Sequence, residues 1–270
     1  MTGPLEGKTA IVAGAAGGVG RAIARRFAEA GAKLMLADTD DAGLDETAAE
    51  IGAAIEAPPG SVDCFSHAVE DKLGVTNLIA ATVDAFERID ILVTRSRVAA
   101  PGGLFDLTAA EFDAALADNA RSVFLQSQLA AKRMVQQREA DPKFTGAIVN
   151  ISSIAARRTA PELLAYSVAC AALDQLTRSM AACLAPRGVR VNAVALGAVM
   201  TASLREALRE REELRDEIAA ATPLGRVGEA EEAAEAALFL AAPSAGFITG
   251  QIVAVDGGRT VLDPLASPVR

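Results

Sequence analysis

The sequence has few of the residues from which metal sites and disulfide frameworks are built. Its 270 residues include three cysteines, one histidine, one tyrosine and no tryptophan. The cysteines, Cys64, Cys170 and Cys183, are too few and too scattered to predict disulfide bonds or a zinc knuckle. The histidine, His67, has no second histidine to act with, so we expect a structural role rather than a metal site or a catalytic triad. No metal is therefore expected.

Basic residues are also fewer than acidic ones. The chain has 26 lysines and arginines against 35 acidic residues, a net charge of −9. It therefore lacks the general basic field that binds nucleic acid, and we expect no such partner. No apolar run reaches the length of about 18 residues that indicates a membrane span. The opening sequence, MTGPLEGKTAIVAG, lacks the charged and apolar regions of a signal peptide. We expect a cytoplasmic protein with no membrane partner.

What the chain does contain is a regular alternation of strand-like and helix-like segments. Hydrophobic residues make up 51% of it and charged residues 23%, which is ordinary for a globular protein. There is no internal repeat, and no linker is long enough to divide domains. We predict a single α/β domain over residues 1–270, with a doubly wound, Rossmann-like parallel sheet and helices on both faces. Its ligand crevice should lie at the carboxyl ends of the strands.

The order of the predicted elements supports this fold. Strands are predicted at residues 8–13, 33–38, 61–65, 89–94, 148–153, 190–195 and 251–258. Helices are predicted at residues 21–32, 41–56, 68–88, 108–138, 162–185 and 229–241. The charged segment 200–222 also has a helical pattern, and its position suits a lid over the cleft. A solvated surface helix explains its charges equally well.

A glycine-rich segment, GAAGGVG, follows the first predicted strand directly and precedes the first helix. In this setting glycines let the backbone approach a pyrophosphate closely, and the helix N-terminus supplies N–H groups and a positive dipole. Asp38 ends the second strand, where an acid accepts hydrogen bonds from the adenosine ribose and repels a 2′-phosphate. The segment and Asp38 together predict NAD in preference to NADP. The alternatives are a flexible turn and a strand-end acid that begins a turn.

Three polar residues are candidates for catalysis. Ser153 ends an apolar strand, and Tyr166 lies near the start of the next helix. A hydroxyl and a phenol so placed are able to polarise and protonate one carbonyl oxygen. Asn119 interrupts an apolar helix face, where a buried amide must find partners. It is either part of the site or a structural amide that bends the helix.

Taken together, these landmarks resemble the short-chain dehydrogenase/reductase family over about residues 8–258. The family's glycine motif, T-G-x-x-x-G-x-G, is matched with Ala13 in place of the threonine, and its patterns P-L-G-R, I-T-G-Q and V-D-G-G are also present. The matching positions are Gly14, Gly18, Gly20, 223–226, 248–251 and 255–258.

The resemblance implies an NAD(P)-dependent oxidoreductase that acts on a small-molecule alcohol or ketone. It implies that Asn119, Ser153 and Tyr166 are the catalytic residues, and that Asp63, which we place at the end of the third strand, lies near the adenine. It also implies that the long helices 108–138 and 162–185 pack against other subunits in a homo- or hetero-oligomer, a dimer or a tetramer.

The clearest departure from the family is at Cys170, where its Y-x-x-x-K motif reads YSVAC. In the family the lysine holds the nicotinamide ribose and lowers the pKa of the tyrosine. A neutral thiol supplies neither a cation nor donors, so the pKa of Tyr166 should stay nearer its unperturbed value of about 10. Arg157 and Arg158 could reach over from the loop, but a guanidinium is not equivalent to an ammonium. Cys170 is a small packing residue or, alternatively, a new nucleophile that needs a base or a cation nearby.

Two further departures fall near the same cleft. The family's N-N-A-G after the fourth strand reads TRSR, which places Arg95 and Arg97 where a glycine gives the cofactor clearance. Arg97 either fills the dinucleotide cleft or holds an anion there, so NAD binding is left open. The family's P-G before the lid reads Leu196-Gly197. The sequence therefore predicts a family member with impaired or lost catalysis. The alternative is a non-catalytic subunit or nucleotide-binding scaffold that partners an active paralogue.

Overall fold

The computed structural model describes residues 3–55, 58–66, 71–95 and 101–263. The strands in these residues are β1 (Thr9–Ala13), β2 (Lys33–Asp38), β3 (Val62–Ser66), β4 (Ile91–Arg95), β5 (Gly146–Ser153), β6 (Val189–Leu196) and β7 (Ile252–Val255). They form one sheet in the order β3-β2-β1-β4-β5-β6-β7, and every neighbouring pair is parallel. This is the predicted doubly wound architecture.

The helices of the described residues connect these strands. They are α1 (Gly18–Glu29), α2 (Asp41–Ile55), α3 (Lys72–Phe86), α4 (Ala109–Leu116), α5 (Ser122–Ala140), α6 (Leu164–Leu184), α7 (Ala202–Glu210), α8 (Leu214–Ala220) and α9 (Ala230–Ala241). The helix predicted at 108–138 is two helices joined by a π-helical turn, Ala117–Arg121. The predicted lid at 200–222 contains α7 and α8. No helix in the described ranges is long and apolar enough to cross a membrane.

Helices cover both faces of the sheet, so alternate residues of each strand belong to different core clusters. On β2, Leu34 belongs to the same core cluster as Phe27 of α1, whereas Met35 belongs to the cluster that contains Leu78 of α3 and Met134 of α5. All five side chains are almost fully buried. Burying a side chain of this size stabilises the fold by about 1.5–3 kcal/mol. This two-sided burial explains why the strands are continuous apolar runs.

The order of the strands fixes where a ligand can bind. Successive strands extend one way from β1 to β3 and the other way from β4 to β7, so the order reverses between β1 and β4. In open α/β sheets the ligand crevice lies at such a switch point, beyond the carboxyl ends of the strands. Gly14 follows β1 there, and Arg95 ends β4.

The third strand differs from its prediction, and the difference concerns Asp63. The prediction placed Asp63 at the end of the strand, which was wrong, because β3 continues to Ser66. Asp63 pairs with Met35, whereas Ser66 pairs with Asp38 at the carboxyl edge. Since side chains alternate along a strand, Asp63 and Asp38 point to opposite faces of the sheet. This placement does not favour the adenine contact expected for Asp63. His67 lies outside the described residues.

Candidate active site

The glycine turn is held against β2 by its own backbone. The N–H groups of Gly14 and Ala15 donate to the Ala37 carbonyl at 2.7 and 3.3 Å. Gly14 and Gly18 have φ angles of +80° and +55°, which favour glycine. A β-carbon on Gly20 would collide with the Gly14 carbonyl oxygen, so this glycine is needed for close packing of α1 on the turn. Each glycine of the predicted motif therefore has a structural reason to be glycine.

Asp38 lies beside this turn, as the sequence predicts. One carboxylate oxygen accepts a hydrogen bond from the Ala16 N–H at 3.3 Å, and the other accepts from the Thr39 N–H at 2.8 Å. The side chain is half-buried. Its carboxylate thus joins the end of β2 to the glycine turn, at the edge where an adenosine ribose is bound in dinucleotide folds.

The side chain of Arg95 contacts the glycine turn at Gly14. A β-carbon built on Gly14 would be 2.5 Å from Cδ of Arg95 and 2.6 Å from its Nε. The arginine side chain therefore occupies the space that Gly14 leaves open, at the switch point itself. Ser96 and Arg97, the next two residues, lie outside the described residues.

Ser153 ends β5 on the opposite side of the cleft from the glycine turn. Its hydroxyl accepts a hydrogen bond from the Ala155 N–H at 3.1 Å and donates to the Leu196 carbonyl at 3.4 Å. Leu196 is its register partner on β6. The second of these bonds is long, so the hydroxyl is only weakly held at this edge.

Tyr166 and Cys170 lie one turn apart on α6 and pack together with Ala155. Tyr166 is 7% exposed and Cys170 is fully buried. The Tyr166 hydroxyl donates a hydrogen bond to the Cys170 sulfur, and so does the Ser153 backbone N–H. A thiol therefore takes the position of the family's lysine, and it accepts a hydrogen bond from the tyrosine.

The Cys170 thiol is neutral in this environment. Burial, together with a smaller effect of the nearby Asp174 carboxylate, raises its pKa to about 11, and the hydrogen bonds from Tyr166 and Ser153 only partly oppose this rise. A nucleophilic cysteine needs the opposite, a cation or base that lowers the pKa. The geometry thus favours the packing role over the new nucleophile.

The two arginines of the loop after β5 are directed to other partners. Arg157 lies 3.9 Å from the buried carboxylate of Asp174, and Arg158 donates to the backbone carbonyls of Thr260 and Leu262. Asp174 also accepts a hydrogen bond from the Ser152 hydroxyl at 2.8 Å. Burial raises the pKa of this carboxyl. Sequence reasoning missed Asp174, although its place one turn beyond Cys170 was a usable signal.

Asn119 lies in the π-helical turn between α4 and α5, fully buried. Its side-chain N–H donates to the Ala115 carbonyl at 2.9 Å. The turn packs on α6, the helix that carries Tyr166. Turns of this kind inside α-helices occur frequently at functional sites. Asn119 is therefore part of a π-helical turn that packs on the helix carrying Tyr166, and its catalytic role stays a prediction.

A second buried amide, Asn150, was not identified from the sequence. It accepts a hydrogen bond from the Thr94 hydroxyl at 2.8 Å and donates to the Thr177 hydroxyl at 2.8 Å. These bonds join β4, β5 and α6, the three elements that carry Arg95, Ser153 and Tyr166. The signal was an asparagine inside an apolar strand.

The start of the predicted lid reaches the glycine turn. Thr201 caps α7 by accepting a hydrogen bond from the Leu204 N–H at 3.2 Å. Its methyl group would lie 3.5 Å from a β-carbon placed on Gly18. The segment therefore begins beside the glycine turn, and its role as a lid stays a prediction. Among the described residues no group of histidine, cysteine or acidic side chains is arranged to hold a metal ion.

The residues at this edge fit a dinucleotide in part. The glycine turn and Asp38 would hold its adenosine half, and bound NAD(P) would supply a hydride donor or acceptor. A dinucleotide can approach the backbone closely at Gly14 only where no side chain fills that space. The side chain of Arg95 already lies there. The adenosine end of the cleft thus fits the cofactor, and the crossing at Gly14 is obstructed.

Comparisons with known proteins agree with the fold and the motifs. A family model described as enoyl-(acyl carrier protein) reductase matches residues 14–260. Galactitol 2-dehydrogenase (L-tagatose-forming) from Cereibacter sphaeroides is 39% identical over 259 residues, which cover 95% of this chain and 96% of that protein. The 3-oxoacyl-(acyl-carrier-protein) reductase FabG of Thermotoga maritima is 33% identical over 257 residues, covering 95% of this chain and 99% of that protein.

A solved structure gives the same result. The structure of 7α-hydroxysteroid dehydrogenase complexed with NADH and 7-oxo glycochenodeoxycholic acid is similar with a TM-score of 0.86 and 31% identity, and the match covers 94% of each chain. The sheet order, the glycine turn at the switch point and these matches lead to one conclusion. The chain belongs to the short-chain dehydrogenase/reductase family of NAD(P)-dependent oxidoreductases.

Proposed function

We propose that this chain is a short-chain dehydrogenase/reductase in which hydride transfer is impaired or lost. The observation that carries the proposal is the buried Cys170, which takes the place of the family's lysine and accepts a hydrogen bond from the Tyr166 hydroxyl. A phenol acts as a general acid or base in proportion to how readily it exchanges its proton with the reacting oxygen. Here the side chain at position 170 is a neutral thiol, which supplies no positive charge to the phenol.

The charged group that acts on the Cys170 thiol is the Asp174 carboxylate, which raises the pKa of that thiol. A carboxylate does not replace the positive charge that the family's lysine supplies. Loss of a general acid/base contribution typically lowers a rate by about 10²–10⁴-fold. We therefore expect either no turnover or a small residual activity.

A second candidate is an active NAD-dependent oxidoreductase that acts on a secondary alcohol or ketone. It is favoured by the retention of Asn119, Ser153 and Tyr166 around one cleft. In that case Tyr166 is the acid/base, Ser153 polarises the carbonyl, and Asn119 positions a proton relay. The similarity to a galactitol dehydrogenase and to a hydroxysteroid dehydrogenase supports a small-molecule alcohol or ketone as substrate.

NAD is the proposed cofactor in preference to NADP. The carboxylate of Asp38 stands at the end of β2 and bonds the glycine turn through the Ala16 N–H. In this position it accepts hydrogen bonds from ribose hydroxyls and repels a 2′-phosphate. A titration of both cofactors under the same conditions tests this preference, and tighter binding of NADP would contradict it.

The proposed loss of catalysis is tested by Cys170→Lys, with Cys170→Met as the control. Both substitutions place a longer side chain in the same buried position, but only lysine brings a charge. NADH oxidation is followed with a panel of ketones. We expect no more than slow turnover by the wild type and by Cys170→Met, and an increase for Cys170→Lys. Brisk turnover by the wild type would instead establish the active enzyme.

A further inference from the structure

Arg95 lies at the one place that a bound dinucleotide has to cross. The adenosine side of the cleft is formed by β1 and β2, with Asp38, and the catalytic side by β5 and α6, with Ser153 and Tyr166. A ligand that reaches both sides passes over the end of β1 at Gly14. The side chain of Arg95 is in contact with Gly14, with Cζ only 3.1 Å from the position of a β-carbon there.

We propose that Arg95 is an intrinsic gate of the dinucleotide cleft: its side chain blocks the crossing at Gly14, and NAD(H) binds only after this side chain swings away. The inference deepens the proposed function, because it assumes that the cleft is the cofactor site. It does not depend on Cys170, since the gate acts on binding and the thiol acts on proton transfer.

The backbone of the turn supports a blocking role rather than a phosphate-binding role for Arg95. The N–H groups of Gly14 and Ala15 are already bonded to Ala37, and that of Ala16 to Asp38. Donors for a pyrophosphate are therefore expected further along, where α1 begins at Gly18 and its dipole is positive. Arg95 contacts the turn before this point, at Gly14.

A gate of this kind weakens the apparent affinity by the fraction of molecules in which it is open. If the open state holds less than about a tenth of the population, removal of the gate strengthens binding by at least about tenfold. Asparagine in place of Arg95 keeps a polar group at the end of β4 but removes the length and the charge of the arginine side chain.

The test is calorimetric titration of NADH into the wild type, Arg95→Asn and Arg95→Ala. Arg25→Asn is the control, because Arg25 is an exposed arginine of α1 whose ion pair among the described residues is with Glu29 of the same helix. We expect both Arg95 variants to bind NADH at least about tenfold more tightly, and Arg25→Asn to bind like the wild type. Equal or weaker binding by the folded Arg95 variants overturns the gate, and weaker binding would make Arg95 a phosphate ligand.

A double-mutant cycle tests the contact itself without any ligand. Gly14→Ala places a methyl group where Arg95 lies, so part of its cost in unfolding free energy should vanish when Arg95 is already asparagine. The remaining cost comes from the φ of +80° at position 14. Strict additivity of the two substitutions would show that the side chain does not occupy this space, and the proposal would fail. Because neither readout is turnover, a catalytically active wild type leaves this test unchanged.

Discussion

At the scale of single residues, the site differs from that of the family by one charge, because a neutral cysteine replaces a lysine. Cys170 is fully buried beside Tyr166, and burial raises the pKa of its thiol to about 11. A lysine in this position would bring a cation to the phenol. The thiol instead accepts the hydrogen bond of the phenol, so the tyrosine loses its activating neighbour and gains a partner that holds its proton.

The state of this thiol predicts its reactivity. Iodoacetamide reacts with thiolates, so in the native chain at about pH 8 we expect the exposed Cys183 to be alkylated well before Cys170. The rate at Cys170 should rise as the pH approaches about 11, where its thiol ionises. Mass spectrometry of the digested protein measures both rates, and unfolded protein, in which both cysteines react, is the control. Equal rates at about pH 8 in the native chain would contradict the buried, neutral thiol.

At the scale of elements, three parts of the fold are joined by a buried polar connection beneath the site. Asn150 of β5 bonds Thr94 of β4 and Thr177 of α6 at 2.8 Å each. All three side chains are almost fully buried. Such a connection is worth most when every member is satisfied, because a buried polar group left without a partner is costly.

Asn150→Ala should therefore destabilise the protein by roughly 1–3 kcal/mol, the cost of leaving buried polar groups unpaired. Urea unfolding of the variant measures this loss. Gln175→Ala, an exposed change on the same helix as Thr177, should stay within about 0.5 kcal/mol of the wild type. A loss at Asn150 no larger than that at Gln175 would show that the connection does not hold the three elements together.

How far the sequence predicts these elements depends on what sets each boundary. Strand and helix order follow from the hydrophobic pattern, which is why the sheet, the glycine turn and the place of Tyr166 were predicted correctly. The place of Asp63 was not, because β3 continues past it through Cys64, Phe65 and Ser66 without an alternation that marks its limit. The π-helical turn at Asn119 leaves no periodic signature that separates it from one long helix.

The contacts across the cleft could not be predicted from the sequence, for a different reason. Arg95 was recognised as unusual, but its contact with Gly14 depends on the pairing of β1 with β4, which are far apart in the chain. The carboxylate of Asp174 likewise meets Ser152 and Arg157 only after β5 and α6 have packed. Long-range geometry of this kind is set by the fold and not by local spacing.

At the scale of the whole molecule, the outer surface of α5 and α6 resembles an interface. Phe124 and Val168 are 40% and 42% exposed on these two helices. Exposed apolar side chains on two neighbouring helices are expected where another subunit packs. The oligomer that the family resemblance implies stays a prediction.

Val168→Glu and Phe124→Glu should therefore lower the mass of the native assembly, because a buried unpaired charge at an interface is costly. Light scattering after size-exclusion chromatography measures that mass. Leu73→Glu is the control, since Leu73 is 69% exposed and lies on α3, outside the two helices under test. A wild type that is already a monomer, or variants with unchanged mass, would contradict an interface at α5 and α6.

The central claim is that a neutral thiol at position 170 leaves Tyr166 without the lysine ammonium of the family, and it is tested most directly by the ionisation of that phenol. The chain has one tyrosine and no tryptophan, so the absorbance of phenolate reports Tyr166 alone and requires no substrate. A cation within about 4–6 Å lowers an acidic pKa by about 1–3 units. The account predicts that phenolate forms about 1–3 pH units lower in Cys170→Lys than in the wild type, and that Cys170→Met titrates like the wild type. Coincident titrations of the folded wild type and Cys170→Lys would contradict it.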